Sequence, residues 1–496
     1  RYQPDAIYAW YDETSAGEFG DGQVDEEFRN LSQRRTDDQK RVWTTVRDNI
    51  HDGSVNVELP LTLFGRPSPD YLDLGLYGMY QDRETDIRRF AFQPQGSNPL
   101  FAEDLGTVFD PANIGDEIEF SETTEQADNY TGQHTIAAGY AAVDALVFAG
   151  IRMNAGARFE YSRQAVQAFN TDNEEENAVL ETADILPAIN FTVPIFDASQ
   201  IRLGGSRTVN RPDLRELSSA PFYGPPGFGE VQGNPNVGRA QIWNADLRFE
   251  KYISMNESVS LGVFYKYFED PIETIQLQSS SFIRVPVNIA SATNFGVELE
   301  WALQFRFVSD GLRNLMLSLD FDSAERERRW RRRLGGVASV FRDLRTTGNV
   351  ALIRSDVDYG GSGISYEGAS VANTSSSRPL QGQAPYVINA ALGYRNSVSW
   401  SQDRPMYTSV FLNYNVVGPF IFQPGVEGVD DYYQQSFHQM DLVLRQQFGH
   451  VVSMSVEFGN ILNPLATQTV GEDRDGEIIE EARRGRTVSI SVSLDL

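Results

Sequence analysis

The sequence contains no cysteine and only four histidines in 496 residues. The lack of cysteine excludes disulfide scaffolds, thiolate metal sites and cysteine nucleophiles. His51, His134, His438 and His450 occur in no metal-ligand or catalytic-triad context, and no phosphate-binding glycine–lysine motif is present. The sequence therefore predicts a protein that is not an enzyme and that holds no metal or cofactor.

Acidic residues outnumber basic ones: the chain has 69 aspartates and glutamates but only 42 lysines and arginines, which gives a formal net charge of −27. Nucleic acid is not an expected partner, since neutralising phosphates requires a basic surface. No stretch approaches the roughly 18 apolar residues of a membrane helix, and the most apolar region, residues 140–151, contains Asp144. These features exclude a helical membrane protein but leave a membrane β-barrel open, because barrel strands alternate and their mean hydropathy stays low.

Alternation of apolar and polar residues is the main positive signal. It is cleanest in residues 488–496, and it recurs less strictly in residues 55–63, 315–321, 439–445 and 452–458. Successive side chains of a strand point to opposite faces, so each segment is expected to have one aliphatic and one polar face. The pattern alone does not decide whether the aliphatic face meets lipid or the core of a soluble β-sandwich.

Candidate strands are joined by connections that alternate between short and long. We count about sixteen strands, several of them longer than the roughly 9–11 residues that cross a membrane. The short connections are residues 64–70, 196–200, 254–258, 308–312, 397–404 and 449–451, and the long ones are residues 93–130, 211–239, 324–384, 419–436 and 464–484. Short turns on one side and long loops on the other are typical of outer-membrane barrels. The predicted fold is all-β, an antiparallel transmembrane β-barrel.

Several short motifs follow one another in the middle of the chain. Residues 211–217 read RPDLREL, residues 233–236 read GNPN, residues 264–273 read FYKYFEDPIE, and residues 288–300 read NIASATNFGVELE. Asn-Pro and similar pairs end strands and begin loops. These motifs are therefore interpreted as architectural: they would shape the wall of the barrel and hold it together.

Three further motifs follow, RPLQGQAPY at residues 378–386, NILNP at residues 460–464 and GRT at residues 485–487. In this order and spacing the whole set resembles the barrel of TonB-dependent outer-membrane receptors. The resemblance covers nearly the whole chain and is clearest in residues 186–496. Between the motifs, Asn244, Asp246, Arg248 and Glu250 alternate along one strand; they are expected to face a polar lumen and to pair with charges on neighbouring strands.

The resemblance implies a multi-pass protein of the bacterial outer membrane, a receptor and not an enzyme. Barrels of this family have about 22 strands and a plugged lumen. Residues 1–496 are therefore expected to be the barrel domain, the C-terminal part of a larger protein whose plug domain and first strands lie outside this chain.

The function implied is active transport. Extracellular loops would bind a large scarce nutrient, such as a siderophore, cobalamin or a glycan, and the TonB complex, acting through the plug segment, would supply the energy for import. Lipopolysaccharide and outer-membrane lipid are the other expected partners. The alternative is a passive porin-like channel or structural surface barrel, which the count of about sixteen strands also fits. A soluble all-β adhesion protein is a third, weaker possibility.

Loop residues are the candidates for ligand binding. Arg211 and Arg215 open the long loop, and Phe222, Tyr223 and Phe228 lie further along it. The aromatic rings are expected either to stack on a ligand or to seal the loop and join the interfacial aromatic belt. Both interpretations remain open from the sequence.

An arginine run at residues 326–333 stands out in so acidic a protein. Its residues Trp330, Arg331 and Arg332 are further candidates for ligand binding, on lipopolysaccharide phosphates or an anionic ligand, because guanidinium groups suit phosphate. The competing interpretation is a solvated loop or strand extension that Glu325 and Glu327 partly neutralise.

Overall fold

The computed structural model describes most of the chain. The described residues are 6–8, 11–13, 29–31, 40–62, 70–95, 105–170, 172–223, 230–277, 283–319, 323–359, 364–366, 369–371, 377–396, 399–401, 404–425, 428–449, 451–473 and 476–494. Within these ranges no helix is long and apolar enough to cross a membrane.

Strands dominate the described residues. In chain order the elements up to residue 223 are β1 (Ala6–Tyr8), β2 (Tyr11–Glu13), β3 (Arg29–Leu31), β4 (Lys40–Leu61), β5 (Asp70–Pro94), α1 (Leu105–Val108), β6 (Ile118–Glu122), β7 (Tyr130–Phe148), β8 (Ile151–Phe169), β9 (Glu175–Phe196), β10 (Ser199–Asn210) and β11 (Pro221–Tyr223). The elements that follow are β12 (Glu230–Gln232), β13 (Ala240–Ser254), β14 (Glu257–Glu269), β15 (Ile272–Gln276), β16 (Arg284–Asn288), β17 (Ser291–Gln304), α2 (Arg306–Ser318), α3 (Ala324–Asp343), β18 (Leu344–Asp358), β19 (Ile364–Tyr366), β20 (Ala369–Val371), β21 (Tyr386–Asn396), β22 (Ser399–Ser401), β23 (Arg404–Val417), β24 (Phe420–Gln423), β25 (Tyr432–Gln434), β26 (Phe437–Phe448), β27 (Val452–Gly459), β28 (Leu465–Val470), β29 (Glu477–Arg483) and β30 (Thr487–Leu494).

One antiparallel sheet contains nearly all the long strands; with its short members β1, β6 and β22 it has 18 strands among the described residues. Its long strands pair in chain order, from β4 and β5 through β7, β8, β9, β10, β13, β14, β17, β18, β21, β23, β26 and β27 to β30. Strand β1 pairs with the start of β4. This up-and-down order confirms the predicted antiparallel wall of about sixteen strands. Strands β4 and β5 have 22 and 25 residues, more than the roughly 9–11 that cross a membrane.

The two ends of the sheet differ as the sequence predicts. At the turn end, residues 149–150 join β7 to β8, where Ala149 and Gly150 have φ values of 47° and 81°. Two successive residues with positive φ make the tight turn that matches the twist of paired strands, and glycine adopts this conformation without strain. At the loop end the long connections fold into two small four-stranded sheets, β11-β12-β16-β15 and β24-β25-β28-β29.

One connection at the turn end contradicts the sequence prediction. Residues 308–312 are no short turn and residues 315–318 no strand, because α2 and α3 form a helical hairpin between β17 and β18. Residues 324–343 therefore do not belong to a loop of the loop end. The Ser323 side chain accepts a hydrogen bond from the Arg326 backbone N–H and caps α3. Glu325 and Glu327 in the first turn suit the positive end of the helix dipole.

The apolar face of the sheet is exposed. Four leucines on successive strands of the sheet, β13, β14, β17 and β18, are 41–56% exposed. They are Leu247, Leu261, Leu299 and Leu352. A soluble sandwich would bury such a row against a second sheet. The exposure therefore favours a barrel whose aliphatic face meets lipid, the alternative that the sequence left open.

The buried apolar residues lie mainly at the loop end. One cluster joins Tyr130 and Val166 of the wall to Leu214, Leu217 and Val237 of the long loop. Burying a leucine side chain stabilises a fold by about 1.5–3 kcal/mol. The loop is therefore packed onto the wall.

Leu217→Ala is expected to loosen this loop by about 2–5 kcal/mol, because Leu217 is completely buried and its truncation leaves a cavity. Hydrogen exchange of the loop amides would measure the loss. Leu462→Ala, at an exposed position, is the control and should change little. Equal exchange in the two variants would contradict this packing.

Candidate functional site

Ion pairs fasten the start of the long loop to the polar face of the wall. Arg211 donates to Glu160 of β8 at 2.7 Å and to Asp184 of β9 at 3.2 Å. Arg239 also binds Asp184, at 2.8 Å, and Arg158 binds Glu160 at 2.6 Å. The Asp184 side chain is only 2% exposed. Arg211, predicted as a ligand-binding candidate, therefore holds the loop in place, as the architectural interpretation expected.

A second set of contacts ties the same loop to β4 and β5. Arg83 binds Asp48 of β4 and Asp213 of the loop, each at 2.7 Å. The Gln164 side chain donates to the Pro212 carbonyl oxygen at 2.7 Å. The loop is thus fixed between neighbouring strands of the wall.

Beside these contacts lies a cavity of about 440 Å³ at the loop end, lined in part by Arg83, Tyr130, Asp213, Arg215 and Glu216. Arg215 is the one predicted candidate that reaches this cavity among the residues that the structure describes. Burial raises the pKa of the Glu216 carboxyl above its usual value. The lining therefore offers charges of both signs and a phenol to a polar ligand.

Two of the sequence motifs meet in a buried ion pair. Arg378 of RPLQGQAPY binds Glu273 of FYKYFEDPIE at 2.9 Å, and each side chain is 3% exposed. The Gln381 backbone N–H donates to the same carboxylate at 3.0 Å. The Tyr359 ring lies 5.6 Å from the Arg378 guanidinium, and burial raises the pKa of Tyr359 to about 12. This pair locks the β15–β16 hairpin against the segment before β21.

The same segment reaches the second small sheet. The Gln381 side chain donates to the Phe422 carbonyl oxygen at 2.6 Å, and the Gly382 backbone N–H donates to the Ile421 carbonyl oxygen at 2.8 Å. Gln423 also hydrogen-bonds to Gln276 of β15. Hydrogen bonds therefore connect the two small sheets at the loop end.

A larger cavity, about 540 Å³, lies on the polar face nearer the turn end. Arg248, Glu250, Glu300, Asn389 and Asn415 are among its lining residues. Arg248 binds Glu250 at 3.0 Å and also pairs with Glu300, which lies two strands away. This arrangement confirms the prediction that the alternating charges of β13 face a polar interior and pair across strands.

Of the remaining predicted residues, the structure describes the side chains of those on the arginine run, which do not line the loop-end cavity. Phe222 and Tyr223 belong to β11, and their side chains lie outside what the structure describes, as does Phe228 entirely. Trp330, Arg331 and Arg332 lie on α3 at the turn end. The prediction that the arginine run belongs to a long loop is wrong, because helix capping and packing against α2 favour a helix there.

Sequence reasoning missed Arg83, Tyr130 and Glu216 as lining residues. Arg83 and Tyr130 belong to strands, and no motif distinguishes them from other strand residues. Only the pairing of β5 with β7 and the fold of the loop bring them to one cavity.

The strands form an antiparallel wall in up-and-down order. Its interior face is polar and its charges are paired, whereas its aliphatic face is exposed. Together these features define a membrane β-barrel of the outer-membrane type. The chain belongs to the family described as TonB dependent receptor-like, beta-barrel, whose model matches residues 1–463. Members of this family are outer-membrane receptors. A search of curated proteins returned no match.

Solved structures of receptors share the fold. The closed form of the ferric-catecholate import receptor Fiu from K12 E. coli is 10% identical, with a TM-score of 0.57 over 99% of this chain and 59% of that one. The ferric yersiniabactin uptake receptor FyuA from Yersinia pestis is 14% identical, with a TM-score of 0.55 over 94% and 56%. The siderophore receptor PiuA from Acinetobacter baumannii is 8% identical, with a TM-score of 0.56 over 92% and 56%. The chain thus spans less than two thirds of these receptors.

Proposed function

We propose that residues 1–496 form the barrel domain of an outer-membrane receptor that imports a large scarce nutrient with energy from the TonB complex. The family match over residues 1–463 carries this proposal. The receptors that share the fold are named for import or uptake of ferric ligands. The exposed aliphatic face supports outer-membrane lipid and lipopolysaccharide as its surroundings.

The loop-end cavity supports ligand capture at that end. Its lining combines Arg215 and Arg83 with Asp213, Glu216 and the Tyr130 ring. Small-molecule sites typically combine apolar surface with a few fixed polar groups. Siderophores, cobalamin and glycans all carry many polar groups, and the proposal includes these three classes of ligand.

Uptake by intact cells would test the proposal. Cells that produce the whole receptor and cells that lack it would be given labelled ferric siderophores, cobalamin and glycan fragments, with and without a protonophore. We expect uptake of one class to require both the receptor and the proton gradient. Uptake that persists with the protonophore, together with steady conductance in planar bilayers, would instead establish the passive porin-like channel.

Arg215→Gln is expected to raise the KM of that uptake about tenfold, because a hydrogen bond to a charged group contributes about 1.5–3 kcal/mol. The maximal rate should stay close to that of the unmodified receptor. Arg163→Gln is the matched control, since Arg163 is partly exposed and pairs with Glu181 at 2.9 Å away from the cavity. An unchanged KM for Arg215→Gln would remove this residue from the binding site.

A further inference from the structure

The helical hairpin of α2 and α3 is attached to the apolar face of the wall. The Phe305 backbone N–H donates to the Leu344 carbonyl oxygen at 3.1 Å, which extends the β17–β18 ladder by one pair. Strand alternation puts Phe305 on the same face as the exposed Leu299. Its ring centroid lies 6.4 Å from Phe341 of α3 and 6.1 Å from Phe307 of α2. The base of the hairpin therefore lies on the lipid-facing side of the turn end.

The hairpin concentrates positive charge in an acidic protein. Six of the eight residues 326–333 are arginine, although the whole chain has a net charge of −27. Glu325 pairs with Arg329 at 3.6 Å and Glu327 with Arg331 at 2.7 Å. The other arginines of the run form no ion pair within the part of the chain that the structure describes; they are Arg326, Arg328, Arg332 and Arg333. The positive charge is thus largely uncompensated.

One face of α3 combines this charge with apolar surface. Arg326, Trp330, Arg333, Val337 and Val340 recur at intervals of three and four residues, which places them along one side of a helix. All five are exposed. Ala338, on another side of the helix, is buried. This exposed face of α3 has no partner among the described residues.

We infer that the hairpin docks on anionic phospholipid headgroups of the membrane leaflet at the turn end. Guanidinium groups bind phosphate, and long arginine side chains reach headgroups while their aliphatic stems stay in apolar surroundings. Tryptophan and valine on the same face suit the boundary between headgroups and acyl chains. The base at Phe305 continues the lipid-facing surface, which favours lipid over an acidic protein. The inference rests on the membrane location in the proposed function but not on import.

The absence of cysteine allows a site-specific test in the whole protein. Val337→Cys would carry a polarity-sensitive dye in nanodiscs of phosphatidylcholine, with increasing fractions of phosphatidylglycerol. We expect a blue shift, and quenching by nitroxide-labelled lipid, that grow with phosphatidylglycerol. The matched control is a dye at Met255→Cys, fully exposed in the β13–β14 turn at the same end, which should not respond to the anionic lipid.

Charge variants of the labelled protein would show whether the arginines cause the response to anionic lipid. Arg326→Gln/Arg328→Gln/Arg332→Gln/Arg333→Gln should raise the midpoint phosphatidylglycerol fraction at least fivefold, because each basic residue near an anionic surface adds to binding. Glu325→Gln/Glu327→Gln should leave the midpoint unchanged or lower it. Circular dichroism of each variant would verify that the hairpin helices persist.

Several results would overturn the inference. The inference is wrong if the dye at position 337 reports an aqueous environment at every lipid composition, or if it responds equally in phosphatidylcholine alone. Inorganic phosphate or an acidic peptide could reproduce the response without anionic lipid, and either would assign the arginines to a soluble partner. A protein that fails to enter nanodiscs would refute the membrane location as well. A normal dye response without nutrient uptake would refute only the import function.

Discussion

Arg378→Met is expected to weaken the attachment of the β15–β16 hairpin by about 3–5 kcal/mol, one of the two largest effects that we foresee. Arg378 and Glu273 are both almost completely buried and lie 2.9 Å apart. Removing the guanidinium leaves the Glu273 carboxylate without its counter-charge in a site that excludes water. Such a charge either opens the structure or takes up a proton.

Hydrogen exchange is the appropriate measurement, because global unfolding of so large a barrel is not a two-state process. The β15–β16 amides should exchange at least a hundredfold faster in Arg378→Met, since about 1.4 kcal/mol corresponds to a factor of ten. Arg354→Met is the matched control. Arg354 pairs with Asp356 at 3.0 Å but is 82% exposed, and exposed pairs contribute only about 0–1 kcal/mol.

The double variant Glu273→Leu/Arg378→Met separates two explanations. If the loss comes from an isolated buried charge, removing both charges should restore most of the protection, as found for buried pairs replaced by apolar residues. If the double variant exchanges as fast as Arg378→Met, packing and the Gln381 hydrogen bond would be the cause.

Asp184→Ala is expected to release the start of the long loop by about 3–5 kcal/mol. The Asp184 carboxylate accepts from Arg211 at 3.2 Å and from Arg239 at 2.8 Å, and it is 2% exposed. Its removal leaves two guanidinium groups close together, and among the described residues only Arg211 retains a carboxylate partner, Glu160.

Exchange of the Leu217 and Asn234 amides would report the release, because these amides donate to Asp213 and Glu216 within the loop. Asp246→Ala is the control, since Asp246 lies on the same polar face and forms no ion pair among the described residues. Unchanged exchange in Asp184→Ala would show that Leu217 and its apolar neighbours hold the loop without the ion pairs. Reduced nutrient uptake in the same variant would link the loop to ligand capture.

The alternation of apolar and polar residues was sufficient to predict strands where it was long and regular. Alternation across many residues predicted the wall and its polar interior, including the Arg248 pairs. It failed at Leu315 and Leu317, which belong to α2, because the alternation over residues 315–321 is too short a run to distinguish a strand from a helix. Packing of α2 on α3 decided that segment.

The candidate site was recovered only in part. Arg211 and Arg215 come from one motif, yet one joins buried carboxylates and the other lines a cavity. Their difference depends on which strands lie beneath the loop. A single sequence contains no information on such distant neighbours.

The sequence by itself determined the class of fold, because the period of two sets the faces of every strand and the connection lengths set the two ends of the wall. The ordered motifs also pointed to the receptor family that the comparison confirmed. Only the tertiary structure decided that Glu273 meets Arg378 across 105 residues and that the arginine run lies at the turn end. Contacts of this kind depend on the register of many strands and on burial, which no local pattern specifies.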